Sequence, residues 1–331
     1  MTKDGQLVIE LGERAALARA VAHFKQGANT SVGSGDDAAV VSLSGPEFVV
    51  TTDTMIEGHD FRHEFSSGFD LGFKAVATNV ADVYAMGARP VALVVAMTVT
   101  DKTTVFWLEE FARGLQAGID ELAPQSEIVG GDLGFGPVTM IAVTAHGDLE
   151  SRSPILRSGA KVGDQLAICG SLGKAAAGLA LLLHEDPTLA ASYPELVQVQ
   201  LRPNPPVQAV QEAFGNATSM LDVSDSLALD ASRIADASGV KIVIDPNQLV
   251  GFEAVLELAA QSIVSRSGAA SAMDWVLYGG EDHSFLATFA AGEVPRGFKV
   301  IGAVAKGSGV FLGDKVLEPR GWDSVRREAQ S

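Results

Sequence analysis

The chain has 331 residues, and its 24 basic and 41 acidic side chains give a formal net charge of −17. At 47% hydrophobic and 20% charged residues, the composition is that of a globular protein and excludes a disordered chain. The length favours two domains. The acidic balance argues against a protein that binds nucleic acid through lysine and arginine, and any bound nucleotide is expected to need metal ions between the like charges.

Cys169 is the single cysteine, which excludes an internal disulfide and a thiolate zinc cluster. It lies in an apolar run, which predicts a small core residue. The first residues lack the apolar stretch of a signal peptide, and the longest apolar run, 91–97, is too short to span a bilayer. We therefore expect a soluble, cytoplasmic protein without a membrane partner.

The first half of the chain alternates predicted helices and strands. In chain order, spacing predicts a helix over 9–24, a strand over 48–52, a helix over 71–86, a strand over 91–99, a helix over 105–122 and a strand over 138–145. Gly87 is a natural C-cap for the helix over 71–86. A polar stretch with Pro154 follows, so we place the domain boundary there, between 1–147 and 148–331.

The second half begins with a predicted strand over 165–169 and a helix over 174–183. The later elements are a helix that Pro205 or Pro206 begins, a helix over 226–237, a strand over 241–245, a helix over 252–264, and strands over 284–289 and 299–304. The predicted fold class is therefore α/β (α+β), with two domains that each pack helices on a mixed sheet.

Acidic side chains recur where strands are predicted to end or helices to begin. The loci are Gly35-Asp36-Asp37-Ala38, Thr51-Thr52-Asp53-Thr54, Gly130-Gly131-Asp132 and Asp222-Val223-Ser224-Asp225. Asn79 and Asp82 add oxygen donors on one helix face, because residues three apart share a face. Since Mg²⁺ takes carboxylate, hydroxyl and water oxygens, these loci are suited to several Mg²⁺ ions around a polyphosphate.

Each locus also has a structural interpretation. Asp222, Ser224 and Asp225 precede a helix, and residues of these types are preferred N-caps, which favours capping over metal binding for that cluster alone. The 35–37 locus fits a turn and the 51–53 locus the end of a strand. Asp82 is the hardest to explain in this way, because an aspartate on an apolar helix face needs a partner when buried.

Other catalytic devices are missing from the sequence. It contains no Walker A loop, no Gly-x-Ser-x-Gly elbow and no His-Glu-x-x-His pair, and its six histidines show no ligand spacing. The segment 170–174 resembles a phosphate loop with the wrong spacing, which favours a strand-to-helix turn over phosphate contact. Arg157 is either a surface charge or a clamp for a nucleotide phosphate.

Taken in order, the motifs resemble the thiamine-monophosphate kinase family of the aminoimidazole-ribonucleotide-synthetase-like ATP-binding superfamily. The resemblance runs over residues 8–325 and adds these segments to the acidic loci: Lys74 through Asn79 to Asp82, Met86-Gly87-Ala88, Arg157-Ser158-Gly159-Ala160-Lys161, Leu201-Arg202-Pro203 and Gly279-Gly280-Glu281-Asp282. It implies a homodimer joined largely through the N-terminal domains, and ATP bound with several Mg²⁺ ions. The C-terminal domain is expected to complete the ATP and substrate site.

The resemblance also assigns roles residue by residue. The implied metal-site residues are Asp37, Thr51, Thr52, Asp53, Asp82, Asp132, Asp222 and Asp225. Gly131, Arg157 and Ser224 are implied to contact ATP, and Glu281 and Trp322 to line the thiamine phosphate pocket. The sequence departs from the family pattern at Ser284, where an acidic residue is usual, and at 324–325, where histidine and phenylalanine are usual.

A third departure follows the Thr-Thr-Asp motif. The family loop usually reads glycine, any residue, histidine, phenylalanine, with the histidine at the substrate, whereas this chain has Gly58-His59-Asp60-Phe61. In an extended segment neighbouring side chains alternate, so Asp60 rather than His59 is expected to face the substrate. A carboxylate there attracts the cationic thiazolium ring of thiamine. The alternative is an exposed loop without a substrate role.

The activity that the resemblance implies is phosphorylation of thiamine phosphate by ATP through direct in-line transfer. The nucleophile is a phosphate oxygen with a second pKa of about 6, so no general base is required. Mg²⁺ is expected to offset the repulsion between the two anionic substrates. The alternatives are another ATP-using enzyme of the superfamily, such as an aminoimidazole ribonucleotide synthetase-like one, or a non-catalytic protein that binds nucleotide and Mg²⁺.

Overall fold

The computed structural model describes residues 5–25, 27, 29–33, 38–265, 268–269 and 271–322. The chain divides into two compact units, Met1–Pro154 and Ile155–Ser331, called unit 1 and unit 2 below. The division falls at 154/155 rather than at 147/148. The turn beyond residue 148 stays on unit 1, because Glu150 pairs with Arg89 at 3.0 Å and Arg152 donates to the carbonyl of Gly87 at 3.3 Å.

Unit 1 contains the following elements. The helices are α1 (Val8–Leu11), α2 (Glu13–Val21), α3 (Gly68–Ala85) and α4 (Val105–Leu122), and the strands are β1 (Thr30–Val32), β2 (Val40–Val41), β3 (Phe48–Ile56), β4 (Arg89–Val99), β5 (Glu127–Phe135) and β6 (Met140–Asp148). A sheet forms in the order β3-β6-β4-β5, with β4 and β5 parallel and the other pairs antiparallel. Helix α3 packs on β3, β6 and β4, and α4 packs on α3.

Helices α3 and α4 approach closely through glycine. A Cβ added at Gly72 would meet the carbonyl oxygen of Phe111, and one added at Gly114 would meet the carbonyl oxygen of Phe69. Both helices begin at hydroxyl caps, since Ser67 accepts from the amide of Asp70 and Thr104 from the amide of Trp107. The two helices therefore form a rigid layer that fixes where α3 presents its side chains to β3.

Unit 2 contains more and shorter elements. The helices are α5 (Lys174–Leu183), α6 (Pro187–Ser192), α7 (Pro194–Leu201), α8 (Val207–Val210), α9 (Leu227–Ser238), α10 (Pro246–Ala254), α11 (Glu257–Ser262) and α12 (Ala272–Tyr278), with 3-10 turns at Arg157–Gly159 and Gln211–Ala213. The strands are β7 (Gln165–Cys169), β8 (Ser219–Val223), β9 (Lys241–Ile244), β10 (Val264–Ser265), β11 (Gly268–Ala269), β12 (Ser284–Phe289), β13 (Lys299–Ala305), β14 (Gly309–Leu312) and β15 (Lys315–Val316).

The main sheet of unit 2 has the order β15-β14-β9-β13-β7-β12-β8 and is mixed, because β14 runs parallel to β9 while the other pairs are antiparallel. Its core joins sheet residues such as Ile168 and Leu286 to helix residues such as Leu181 and Ile234, all fully buried. The predicted fold class is confirmed. No helix among the residues that the structure describes combines the length and apolar character needed to cross a bilayer.

Several predicted elements are confirmed, and others are wrong for identifiable reasons. The helices over 105–122 and 174–183 and the strands over 165–169 and 284–289 have the predicted bounds. The helix over 9–24 is interrupted at Gly12, whose φ of 83° is incompatible with a helix. The helix over 252–264 is replaced by two helices separated by a turn, α10, which begins earlier at Pro246, and α11, which begins at Glu257.

The prediction also missed elements. Helices α6 and α7 were not anticipated, although each has proline in its first turn. Strand β5 was missed because Gly130-Gly131-Asp132 has the composition of a turn, yet it lies within the strand. Strand β3 continues to Ile56, so Asp53 lies inside a strand rather than at its end.

The prediction for Cys169 is confirmed. Its side chain is buried on β7, and burial raises the pKa of the thiol to about 11. A thiol in this state stays protonated near neutral pH and is neither a nucleophile nor a metal ligand.

Candidate functional site

Three of the predicted metal-site residues share the helix-covered side of β3. Thr51 and Asp53 are two residues apart in the strand and so project to the same face. Asp82 on α3 is half-buried, and its carboxylate accepts a hydrogen bond of 2.8 Å from the hydroxyl of Thr51. The packing of α3 on β3 therefore brings together residues that lie about thirty positions apart.

This group of side chains offers oxygen donors alone, which suits a hard cation such as Mg²⁺. Asn79 lies one turn before Asp82 on α3 and is buried, and its Oδ1 has no hydrogen-bond partner among the described residues. A buried acceptor without a donor is costly unless a proton donor or cation satisfies it. In the described ranges no three His, Cys, Asp or Glu side chains come close enough to form a metal cluster by themselves, so hydroxyl, amide, water or phosphate oxygens must complete any such site.

Two predicted metal-site residues lie on the opposite face of the unit 1 sheet. The hydroxyl of Thr52 donates to the carbonyl of Val143 at 2.9 Å and accepts from Thr144. Asp132 is exposed on β5, in register with Ala96. Three strand spacings, roughly 14 Å, separate β5 from β3. Within this unit the structure does not bring Asp132 to Asp82, and Asp37 lies outside the described residues.

Gly131, predicted to contact ATP, has a structural reason to be glycine. A Cβ at this position would meet the carbonyl oxygen of Val95 on the neighbouring strand. By contrast, a Cβ at Gly130 would have no atom within 4 Å. The close approach of β4 and β5 therefore explains the residue type at 131 without a nucleotide.

Asp60 does not lie in an extended segment, as its predicted orientation required. Residues 58–60 form a turn that begins at Gly58, with φ of 82°. The Asp60 carboxylate accepts from the amide of Ile56 at 2.7 Å and from the His59 ring at 3.1 Å. Alternation along a strand therefore does not decide between His59 and Asp60, and the substrate role of Asp60 stays a prediction.

In unit 2, residues 222–226, called the 222–226 loop below, run from the last two residues of β8 to the start of α9 and include several predicted site residues. The Asp222 side chain is almost fully buried, and its Oδ2 accepts from Nδ1 of His283 at 3.1 Å. The carbonyl of Ser224 accepts from the amide of Glu281 at 2.8 Å. The carbonyl of Asp225 accepts from the amide of Trp322 at 3.0 Å. One short loop thus contacts two distant parts of the sequence, residues 281–283 and residue 322.

The side chain of Asp225 belongs to a charged network on α9. Arg233 pairs with Asp225 at 2.6 Å and with Asp230 at 2.5 Å. Oδ2 of Asp230 also accepts from the amides of Asp225 and Ser226, at 3.1 Å each. Burial raises the pKa of the Asp230 carboxyl to about 6, with Asp222 and Asp225 adding to the rise and Arg233 opposing it. The ion pair and hydrogen bonds of this network fix the 222–226 loop to α9.

The predicted capping role of Asp222, Ser224 and Asp225 is wrong, because the N-cap of α9 is Ser226. Its hydroxyl accepts from the amide of Leu229 at 3.0 Å. The carboxylate of Asp225 instead pairs with an arginine two turns along the helix. Capping therefore does not explain these acidic side chains, whose carboxylates instead pair with Arg233 and His283.

Glu281 and Trp322, the predicted substrate residues, are each fixed through the backbone while the side chains keep some exposure. Glu281 has a φ of 65°, unusual for a residue other than glycine, and its carboxylate accepts from Gln200 at 2.6 Å. Trp322 is 39% exposed. Backbone strain at a residue with a half-exposed acid is typical of functional sites.

Arg157 lies in a 3-10 turn, and its side chain is exposed. The turn sits tightly on the start of β8, since a Cβ at Gly159 would meet the carbonyl oxygen of Thr218. The carbonyl of Arg157 also accepts from the hydroxyl of Ser238 at 2.8 Å, which ties the turn to the end of α9. The backbone is therefore anchored while the guanidinium remains open to solvent and ligands.

The segment 170–174 is a strand-to-helix turn between β7 and α5, as favoured. The carboxylate of Asp282, almost fully buried, accepts from the amides of Gly173 and Lys174 at 2.8 and 3.2 Å and from the hydroxyl of Ser171 at 2.7 Å. Burial raises the pKa of this carboxyl. The amides of Gly173 and Lys174 at the N-terminus of α5 therefore bind a protein carboxylate rather than a phosphate.

Sequence reasoning missed the residues that support the 222–226 loop. His283 was not singled out, because a single histidine next to an acid carries no spacing signal. Asp230, like Asp82, is an acidic residue on the apolar side of a helix, and this pattern could have indicated it. Arg233 follows three residues later, at the spacing of an ion pair on one helix face. Only the fold shows which acids they contact.

Comparisons with known proteins find relatives over nearly the whole chain. Residues 35–149 match the family model described as AIR synthase related protein, N-terminal domain. Thiamine-monophosphate kinase of Mycobacterium tuberculosis is 38% identical over 334 residues, which cover 98% of this chain and 96% of that protein. The thiamine monophosphate kinase structure from Aquifex aeolicus has a TM-score of 0.72 at 28% identity, covering 86% of this chain and 91% of that chain.

A structure of AaThiL complexed with AMPPCP and TMP has a TM-score of 0.73 at 29% identity and covers 95% of this chain and 97% of that chain. The likeness extends over both units and not only over the part that the family model matches. The resemblance found in the motifs is therefore confirmed, and the chain belongs to the thiamine-monophosphate kinase family.

Proposed function

We infer that the protein transfers a phosphoryl group from ATP to thiamine phosphate and so forms thiamine diphosphate and ADP. The observation that carries this inference is the 222–226 loop, whose Ser224 and Asp225 carbonyls accept from the amides of Glu281 and Trp322. The relative complexed with AMPPCP and TMP holds ligands that correspond to a nucleotide and thiamine phosphate.

The chemistry requires alignment and charge compensation more than proton transfer. The attacking phosphate oxygen is already ionised near neutral pH, so we assign no general base. We assign ATP contacts to Gly131, Arg157 and Ser224, and substrate contacts to Asp60, Glu281 and Trp322. An aromatic ring and a carboxylate are suited to a cationic heterocycle through stacking and charge attraction.

We further propose that Mg²⁺ acts with ATP. In unit 1 the oxygens of Thr51, Asp53 and Asp82 are suited to hold it. In unit 2 we propose Asp222 and Asp225, whose carboxylates now pair with His283 and Arg233. Asp37, Thr52 and Asp132 stay predicted metal-site residues. Bound Mg²⁺ would neutralise phosphate charge and orient the reacting oxygens.

The first test is product formation by the purified protein. With ATP, Mg²⁺ and thiamine phosphate we expect thiamine diphosphate and ADP in equal amounts, measured by chromatography. Excess EDTA should abolish the activity, and added Mg²⁺ should restore it, because the substrates repel each other without a cation. ADP release without thiamine diphosphate would instead favour another reaction of the superfamily, and nucleotide binding without turnover would favour a non-catalytic protein.

We also propose a homodimer that pairs through unit 1. The outward face of β3 carries Phe48, Val50 and Ile56, which are 53%, 57% and 40% exposed. A row of large apolar side chains on a sheet face is typical of an interaction surface. Sedimentation equilibrium should give twice the chain mass, whereas a monomer at micromolar concentration would contradict the proposal.

Cytoplasmic localisation stays a prediction from the sequence.

A further inference from the structure

We propose that Ser226 is a positioning residue for the aromatic wall of the thiamine phosphate pocket, because its hydroxyl pins the segment that carries Trp322 to the 222–226 loop. The inference rests on the proposed function, which assigns Trp322 to that pocket. It concerns contacts within unit 2 alone.

The backbone of Ser226 is the first indication. Its φ of 155° and ψ of 159° lie in a region that is essentially restricted to glycine, and the residue is fully buried. Helix caps ordinarily adopt extended backbone with negative φ, so capping does not require this conformation. A serine here bears a conformational cost that glycine would avoid. Its side chain must therefore supply interactions that offset that cost.

The hydroxyl makes two such interactions. It accepts from the amide of Leu229 at 3.0 Å, which caps α9, and it donates to the carbonyl of Arg320 at 2.7 Å. A hydroxyl both donates and accepts, whereas an ionised aspartate, the other common cap, has no proton to give. The bond to Arg320 connects positions 94 residues apart and contributes nothing to the cap.

The segment over 320–322 is then held closely against the loop. Gly321 leaves no room for a side chain, since a Cβ there would meet the carbonyl oxygen of Asp225 and lie 2.7 Å from the Ser226 hydroxyl. The next amide, that of Trp322, donates to the carbonyl of Asp225. On the other side, the Arg320 guanidinium stacks on the ring of Tyr278 at 3.8 Å.

This arrangement connects the residues assigned to ATP and metal with the residue assigned to thiamine phosphate. The 222–226 loop carries Ser224 and Asp225, assigned above to ATP and metal, and Ser226 extends the same loop toward Trp322. The Trp322 ring is partly exposed, and the Trp322 amide donates to the carbonyl of Asp225 in the loop. Loss of the Ser226 hydroxyl should therefore affect the thiamine end of the site more than the nucleotide end.

The test compares Ser226→Ala and Ser226→Gly with Asp245→Ala. Asp245 caps α10 in the same unit, and its side chain accepts from the amide of Asn247, so the control loses a cap without touching the Trp322 segment. We expect both Ser226 variants to raise KM for thiamine phosphate roughly five- to tenfold. KM for ATP should change less than twofold, and Asp245→Ala should change neither constant. An equal rise in both constants, or no rise for thiamine phosphate, would overturn the proposal.

A second measurement needs no substrate. Hydrogen–deuterium exchange of the peptide that contains Trp322 should be faster in both Ser226 variants than in the wild type and in Asp245→Ala. Unchanged exchange would overturn the pinning role even if KM rises. Ser226→Gly keeps the test valid if the alanine variant fails to fold, because glycine adopts this φ without strain. Absence of thiamine diphosphate from the wild type would refute the proposed function but leave the exchange result standing.

Discussion

Replacing Asp82 by asparagine is expected to lower turnover by roughly 100-fold or more with little change in melting temperature. Asparagine keeps the volume of the side chain, and its carbonyl oxygen still accepts from the hydroxyl of Thr51, which now lies 2.8 Å from the carboxylate. The substitution removes the negative charge of the carboxylate, which we propose binds Mg²⁺. The Mg²⁺ concentration for half-maximal activity should rise together with the loss of turnover.

Asp120→Asn is the matched control for this change. Asp120 is also a helical carboxylate of unit 1, but it pairs with Lys25 and Gln116 near the surface. An exposed pair of this kind contributes at most about 1 kcal/mol, so turnover and Mg²⁺ dependence should stay at wild-type values. Full activity of a folded Asp82→Asn protein would remove Asp82 from the metal site.

The second large effect is expected at Asp225, where asparagine should again cut turnover by roughly 100-fold or more. Stability should change little, for two reasons. The cap of α9 is Ser226 and remains intact. The lost ion pair with Arg233 is partly exposed, with side-chain exposures of 33% and 24%, and is worth about 1 kcal/mol or less.

Turnover and thermal unfolding measured on the same preparation separate a catalytic role from a structural one at Asp225. Asp236→Asn provides the control, because Asp236 lies on the exposed side of the same helix. If Asp225→Asn keeps wild-type turnover but has a lowered melting temperature, the role of Asp225 is its ion pair with Arg233. The residue would then have no part in the metal site.

The sequence by itself determined the elements whose signal is local. Helix α4 and strands β7 and β12 have the predicted bounds, because helical spacing and uninterrupted apolar runs are properties of consecutive residues. Burial of Cys169 followed from its apolar neighbours in the same way. The ordered motifs also identified the family, since their combination is specific although each motif alone is not.

Strand pairing, rather than local sequence pattern, determines that residues 130–132 and Asp53 lie within strands. Gly130-Gly131-Asp132 has turn composition, but the ladder with β4 extends it as a strand and places Asp132 on the exposed face, away from Asp82. Asp53 lies inside β3 because β6 pairs along the whole strand. Residues distant in sequence supply these hydrogen bonds, so a window of neighbouring residues does not contain the information.

Only the tertiary structure decided how the candidate site is held. The contacts of Ser224 with Glu281 and of Asp225 with Trp322 are made by backbone atoms. Because every residue has these atoms, the identity of the side chains does not predict the contacts. Ser226, rather than its acidic neighbours, caps α9, because its hydroxyl accepts from the amide of Leu229. Side-chain chemistry pointed to the reaction, whereas the geometry of non-local backbone contacts set which residues meet.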